Sequence, residues 1–164
     1  MATQDPGAEQ AVQEALAEIQ QALAGAPSLE EFGLTILNAA LRMVDGDAGS
    51  IMLLTQDGKA LQVIAAVGPD VDQIMGSTQS LSTSFAARAL ISRSPLTIKG
   101  LDNRSAYPRD LLWSAVVPLI AGRRDLGVLN INCDRNAAVA EAFTIRLQRL
   151  AEHVAPMLAY VQRT

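Results

Sequence analysis

Two amphipathic helices are predicted at the start of the chain, after a lead-in over 1–7 that we expect to be disordered. The first, over residues 8–24, has apolar side chains every three or four positions, which is the spacing of one helix face. The residues on that face are Val12, Leu16, Ile19 and Leu23. Because this spacing is that of a short coiled-coil seam, we expect the face to form a dimer interface.

Ser28 and Glu31 then form a capping box, and a second helix follows as far as Gly46.

The centre of the chain has the pattern of antiparallel strands. In the stretch SIMLLTQDGKALQVIAA, residues 50–66, Asp57-Gly58 separates two apolar runs. This dipeptide is a strong hairpin signal, because glycine accepts the positive φ that the turn requires. A loop is expected over 68–79, and a short helix after the polar residues 82–84. Later apolar runs predict three more strands, over 96–99, 113–121 and 126–133.

The order of the elements predicts the fold class. A last helix is expected from Thr144, its N-cap, towards Gln162. Strands flanked by helices indicate an α+β fold, with a largely antiparallel sheet of five to six strands and the terminal helices on one face.

The hairpin is apolar on both of its faces, which sets it apart from a sheet with one wet face. Strict alternation places Leu61, Val63 and Val67 on one face of its second strand, and Ile64 and Ala66 on the other. The terminal helices can cover only one face of the sheet. We therefore expect the short helix and the loops over 68–82 and 100–112 to cover the other face, with a ligand pocket beneath them.

Composition narrows the class of protein. The 164 residues are enough for one domain, and with 49% hydrophobic and 4% aromatic residues its core must be mainly aliphatic. A net charge of −4 argues against a nucleic-acid-binding surface, and no apolar run is long enough to span a membrane. The single cysteine, Cys133, excludes an intrachain disulfide and a multi-cysteine metal site. We expect a cytoplasmic protein that binds neither nucleic acid nor membrane.

Four fragments in this order resemble a GAF domain: DGDAGSIMLLTQDGKALQVIAAVG, SFAARALISRSPLTI, SAVVPLIAGRRDLGVLNIN and FTIRLQRLAEHVAPMLA. We therefore expect a lead-in and dimerisation helix over 1–27 and a GAF domain over 28–164. GAF domains are typically sensory or dimerising modules, and the resemblance implies a small-molecule pocket on the sheet face opposite the terminal helices. The ligands of the family are so varied that the fold does not identify one.

The resemblance also implies candidate ligand-binding positions. Aligned on the family pattern they are Ser50, Met52, Ala66, Phe85, Ala86 and Asn130, with Tyr107 in the covering loop. Free backbone N–H groups at the start of the short helix favour an anion. Asn130 and Asn132 interrupt an apolar strand on the face of Val128. Asn130 either contacts the ligand or is solvated or bonded to a loop; for Asn132 we favour solvation near a strand edge or a bond to the neighbouring loop.

Several subtypes of the family are disfavoured. Cyclic-nucleotide-binding members carry an Asn-Lys pair after the last strand, where this chain has Cys133-Asp134. Bilin-binding members use a lid cysteine, and haem ligation would need a pocket histidine, whereas His153 is predicted on the last helix. The free methionine sulfoxide reductases of the family need a pair of thiols, which one cysteine cannot supply. We expect no haem, bilin or metal and no enzyme activity.

The sequence therefore predicts a cytoplasmic sensory GAF domain that binds a small, partly apolar molecule. Its occupancy would be relayed through a helical homodimer to an effector domain, such as the kinase of a two-component system, a cyclase, a phosphatase or a transcription factor. The alternative is a structural dimerisation and relay module with a collapsed, ligand-free pocket. A stand-alone oxidoreductase of the methionine sulfoxide reductase type is disfavoured by the cysteine count.

Overall fold

The computed structural model describes residues 7–82, 84–99, 113–135 and 137–164. The helices in these ranges are α1 (Ala8–Ala24), α2 (Leu29–Val44), α3 (Val71–Ile74), α4 (Phe85–Ser92) and α5 (Ala140–Arg163). The strands are β1 (Ala48–Leu54), β2 (Ala60–Val67), β3 (Thr78–Ser80), β4 (Leu96–Lys99), β5 (Trp113–Ala121) and β6 (Arg124–Cys133).

The described strands form one antiparallel sheet of six strands in the order β3-β2-β1-β6-β5-β4. One side, the helix face, is covered by α2 and α5, and α1 packs on both of these helices. On the opposite side, the α4 face, α4 packs on β5 and β6. The predicted α+β class and antiparallel sheet are confirmed. β1 and β6 lie at the centre of the sheet, so their side chains are flanked by strands on both sides.

Local sequence signals set the ends of the first two helices. α1 has the predicted bounds, and α2 begins with the predicted capping box. The backbone N–H of Glu31 donates to Ser28 Oγ, and the backbone N–H of Ser28 donates to Glu31 Oε1, each at 3.1 Å. These bonds satisfy two of the donors that a helix start leaves free. α2 ends at Asp45, which adopts the left-handed conformation with φ 52°.

The main hydrophobic core lies between the helix face and the helices. Phe32, Ile36 and Leu37 of α2 are fully buried in it, opposite Leu129 and Ile131 of β6. The core also includes residues of α1 and α5. α1 is therefore integrated into the packing of the folded unit and does not extend away from it.

The assignment of side chains to the two faces of β2 was partly wrong. Leu61 and Val63 pack on the α4 face as predicted to share one side, but Ala66 joins them there, while Val67 packs towards the helix face. The cause is a β-bulge: Met52 pairs with Val63 but Ile51 pairs with Ala65. One extra residue in β2 reverses the alternation of every residue beyond it.

Two further predictions need correction. The segment expected as a loop over 68–79 contains α3 and the start of the edge strand β3. Thr144 does not cap the last helix, which begins at Ala140. Instead its buried hydroxyl donates to the Ala140 carbonyl oxygen at 2.8 Å and accepts from Thr97 Oγ1 at 2.7 Å. A threonine within a helix can bond back to the carbonyl four residues earlier, so its hydroxyl is satisfied inside α5 and is not used at the helix start.

Within the described ranges, the helices do not combine the length and the apolar character that crossing a membrane requires.

Candidate ligand-binding site

The short helix α4 fills one half of the α4 face. Its N-cap is Ser84, whose Oγ accepts from the backbone N–H of Ala87 at 3.0 Å. Small side chains face the sheet and let the helix approach it closely: Ala86, Ala87 and Ala89, with Leu90. They pack on an apolar patch of the strands that consists of Met52, Leu61, Val63, Ala66, Val116 and Val128. The packing of α4 therefore covers part of the second apolar face of the β1–β2 hairpin.

The other half of the α4 face carries polar side chains that form the serine–asparagine row, defined as Ser50, Asn130, Asn132 and Ser114. It consists of two cross-strand pairs: Ser50 lies opposite Asn130 across β1 and β6, and Asn132 lies opposite Ser114 across β6 and β5. In each pair the side chains bond directly, from Asn130 Nδ2 to Ser50 Oγ at 3.2 Å and from Ser114 Oγ to Asn132 Oδ1 at 2.6 Å. The row is thus a polar strip on a central part of the sheet.

Asn132 is buried in this strip, so solvation near a strand edge, one of the two environments that we favoured for it from the sequence, is wrong. Asn132 is only 4% exposed, because β6 is flanked by a strand on each side. Its Oδ1 is bonded to Ser114, yet its Nδ2 has no hydrogen-bond partner among the described residues. A buried amide nitrogen without a partner is uncommon, because it loses its bonds to water without replacement.

Asn130 differs from Asn132 in being half-buried. Its Nδ2 donates to Ser50 Oγ and lies 3.5 Å from Met52 Sδ. Ser50 in turn is 4% exposed and lies opposite Ala66 of β2. Four of the predicted ligand-binding residues, Ser50, Met52, Ala66 and Asn130, are therefore brought together on the α4 face.

The remaining candidates lie apart from this group. Ala86 is buried between α4 and the sheet, in the apolar patch. Phe85 lines an open groove of about 330 Å³ on the outer side of α4, together with Ser82 and Arg88. Tyr107 lies outside the described residues.

Ser114 is the residue of the row that the sequence prediction missed. A serine at the start of an apolar strand is an inconspicuous signal by itself. Its partnership with Asn132 depends on the pairing of β5 with β6, in which a bulge between Leu119 and Ile120 shifts the register.

The apolar face of α1, predicted as a dimer seam, lies within the core of its own chain. Val12 and Leu16 are each 4% exposed and Ile19 is fully buried, while Leu23 is half-buried against the same core. α2 and α5 cover them. A hydrophobic stripe of this kind serves intrachain packing and a coiled coil equally well, and here the intrachain partners occupy it.

A cluster of ionic groups lies between the loop before β1 and the loop after β6. Arg135 Nη1 donates to Asp47 Oδ1 at 2.7 Å and to Asp134 Oδ1 at 3.1 Å, and Nη2 pairs with Asp45 Oδ1 at 3.2 Å. Burial tends to raise the pKa of Asp47, but the bonds from the Asp134 backbone N–H and from Arg135 outweigh it, so that this pKa lies below its ordinary value. The carboxylate of Asp47 is therefore favoured as an ion.

The same cluster contains potential metal ligands, because Asp47, Asp134 and Cys133 offer atoms within 4.8 Å of one another. Two of these groups already pair with Arg135. Burial raises the pKa of the Cys133 thiol, which keeps it protonated, whereas metal ligation requires the thiolate. His153 is exposed on α5 and its Nδ1 lies 2.9 Å from the Arg149 carbonyl oxygen, on the side of the fold away from the row.

A protein-family model matches most of the chain. The family model described as GAF domain matches residues 26–159. No curated protein matches the chain.

Solved structures share the fold at low sequence identity. The GAF domain of a phosphoenolpyruvate-protein phosphotransferase from Coxiella burnetii has a TM-score of 0.78 and 19% identity, over 94% of this chain and 96% of that one. The GAF domain of A. aeolicus nlh2 in an inactive state has a TM-score of 0.76 and 14% identity, over 94% and 99% of the two chains. Free methionine-R-sulfoxide reductase from Neisseria meningitidis, in complex with its substrate, has a TM-score of 0.73 and 16% identity, over 99% and 96%. The similar structures therefore include GAF domains of other proteins and a reductase.

Proposed function

The chain belongs to the GAF domain family, and from this premise we propose that it is a sensory domain that binds a small molecule on the α4 face of its sheet. The ligand would contact the serine–asparagine row and the adjoining Met52 and Ala66. Occupancy would change the geometry of the sheet and be passed to a signalling effector, such as a kinase, cyclase, phosphatase or transcription factor.

The observation that carries this proposal is the polar strip within an apolar sheet face. Four uncharged polar side chains lie side by side on the interior strands β1, β6 and β5, and one buried donor, Asn132 Nδ2, has no partner among the described residues. Packing alone favours apolar side chains at such positions, as α4 demonstrates on the other half of the same face. A ligand with complementary polar groups would form hydrogen bonds with the row, which would account for polar side chains at these positions.

We propose a binding role without catalysis. The chain has one cysteine, so it cannot form the intramolecular disulfide of a two-thiol reductase. That cysteine is also buried, and its raised pKa works against a nucleophilic thiolate. A single buried thiol also fits a reducing compartment, which supports a cytoplasmic location.

The relay is proposed to run through the terminal helices in a homodimer. α1 and α5 pack on each other, and α5 contacts β5 directly, so a shift of the sheet can reach the surface of α5. Two large apolar side chains on α5 are exposed, Ile145 by 40% and Tyr160 by 63%. Because the predicted seam of α1 is buried, this outer side of α5 is the better candidate for contact with a second copy. Analytical ultracentrifugation of the wild type and of Tyr160→Glu tests it: a dimer that dissociates in the variant supports the interface, and a monomeric wild type contradicts it.

A thermal-shift screen of uncharged and charged metabolites tests the sensor function, because a ligand that binds only the folded state raises the melting temperature. The double variant Ser50→Ala/Asn130→Val is the matched control. We expect at least one metabolite to stabilise the wild type and to lose this effect in the variant. If nothing stabilises the wild type, or if the variant responds equally, the proposed site is wrong.

A ligand-free structural module is the second candidate function, and the packing of α4 favours it. Half of the α4 face is already filled by protein side chains, with Met52 and Val128 fully buried. A module of this kind would still dimerise and transmit motion. Dimer formation combined with a screen in which nothing binds would support it.

A further inference from the structure

The buried amide of Asn132 offers one unused donor to a ligand. Its Oδ1 accepts from Ser114 at 2.6 Å, which fixes the amide, while Nδ2 has no partner among the described residues. A ligand carbonyl oxygen placed against Nδ2 would satisfy it.

Asn130 offers the complementary group. Its Nδ2 is used by Ser50, and within the described part of the chain its Oδ1 makes no bond. The two asparagines stand two residues apart on one face of β6, so their Cβ atoms are separated by about 7 Å. A donor and an acceptor at this spacing can bracket the edge of a small ring.

Among the described residues, the strand side chains beside the two asparagines on this face are uncharged, and the ionic cluster of Asp47, Asp134 and Arg135 begins beyond the ends of β1 and β6. The neighbouring strand residues on this face are Ala48, Met52, Ala66, Val116 and Val128. Burying an ion among such side chains costs several kcal/mol unless a counter-charge is present, whereas a neutral polar group needs only its hydrogen bonds. The helix-start argument for an anion applies at Ser84, on the other half of the face.

From these observations we infer that the row binds a ligand through an uncharged amide-type group, in which a carbonyl is next to an N–H, as in lactams, imides and ureides. The carbonyl would accept from Asn132 Nδ2, and the N–H would donate to Asn130 Oδ1. This inference rests on the proposed sensor function and names the chemical class of its ligand. Asn132 and Ser114 then become specificity-determining residues in addition to the candidates predicted from the sequence.

Two pairs of probes test the inference, each consisting of a neutral compound and a charged counterpart with a similar skeleton: succinimide with succinate, and uracil with orotate. The protein is ¹⁵N-labelled, and the side-chain amide signals of Asn130 and Asn132 are followed during titration, with Asn38 of α2 as an internal reference. We expect the neutral probes to shift the two signals and to bind at least about tenfold more tightly than their charged counterparts, in line with the cost of an uncompensated buried charge. In Ser114→Ala/Asn132→Val, which removes both partners of the Ser114–Asn132 pair together, neutral-probe binding should fall by about tenfold or more.

Three results would overturn the inference: equal or tighter binding of the charged probes, binding of the neutral probes without a shift at Asn130 and Asn132, or no binding of either neutral probe. The metabolite screen separates this failure from that of the proposed function. A charged metabolite that stabilises the wild type but not Ser50→Ala/Asn130→Val would leave the sensor function intact and refute the neutral ligand class. Absence of any stabilising metabolite would refute both.

Discussion

Replacing Ser114 and Asn132 together, by Ala and Val, is expected to leave the ligand-free protein at least as stable as the wild type. The wild type buries Asn132 Nδ2 without a described partner, which costs about 1–3 kcal/mol. The double variant removes that cost and loses one hydrogen bond, of 2.6 Å, whose net contribution is about 0.5–1.5 kcal/mol. The central values give a gain of about 1 kcal/mol, and the extremes run from a loss of about 0.5 to a gain of about 2.5 kcal/mol.

The matched control is Ser50→Ala/Asn130→Val, which makes the same two replacements in the other serine–asparagine pair of the row. There the amide nitrogen is already bonded, at 3.2 Å, so the variant loses a bond without relieving an unpaired group. We expect it to lose about 0.5–1.5 kcal/mol.

Urea denaturation followed by fluorescence measures both variants, because Trp113 is the single tryptophan of the chain and is 1% exposed. If the two double variants lose stability by the same amount, Asn132 Nδ2 is hydrogen-bonded in the free protein. The argument from an unused donor then fails.

Three further predictions concern the scaffold. Gly127→Ala should destabilise the protein by about 3 kcal/mol, since a Cβ there overlaps the carbonyl oxygen of Met52 and forces β1 and β6 apart, while Gly25→Ala, where the Cβ has ordinary clearance, should be neutral in thermal melts. Ser28→Ala should cost about 1 kcal/mol through loss of the α2 cap, measured by urea denaturation, and an unchanged midpoint would contradict the cap's role. Asp47→Asn should destabilise near neutral pH, and the deficit should shrink as pH falls below the ordinary aspartate pKa of 3.8, because the lowered pKa makes the carboxylate the stabilising form and protonation removes that benefit. A deficit that is constant with pH would exclude the ion pair as its cause.

The sequence predicted best where the cause of the structure is local. The bounds of α1, the capping box at Ser28 and the turn at Asp57-Gly58 depend on neighbouring residues, and each predicted element formed there. The antiparallel sheet with helices on one face followed from the order of the elements. The sequence could not show whether the apolar face of α1 packs within its own chain or against a second copy, because the spacing is the same in both cases.

The site was predicted only in part because bulges control which residues face each other. Without interruption, a hairpin that turns at 122–123 would place Ser114 opposite Ile131. The bulge next to Ile120 moves Ser114 opposite Asn132 and creates the Ser114–Asn132 pair of the row. A second bulge moves Ala66 to the α4 face. Bulges of this kind depend on the packing of both strands, which alternation along one strand cannot reveal.

The central claim is that the serine–asparagine row is a ligand-binding surface. Its most direct test is a crystal structure of the protein with a metabolite that raises its melting temperature. We predict a ligand acceptor atom within hydrogen-bonding distance of Asn132 Nδ2, and the ligand on the α4 face beside Asn130. A structure in which that nitrogen is bonded to the segment 100–112 and the metabolite lies elsewhere would contradict the claim.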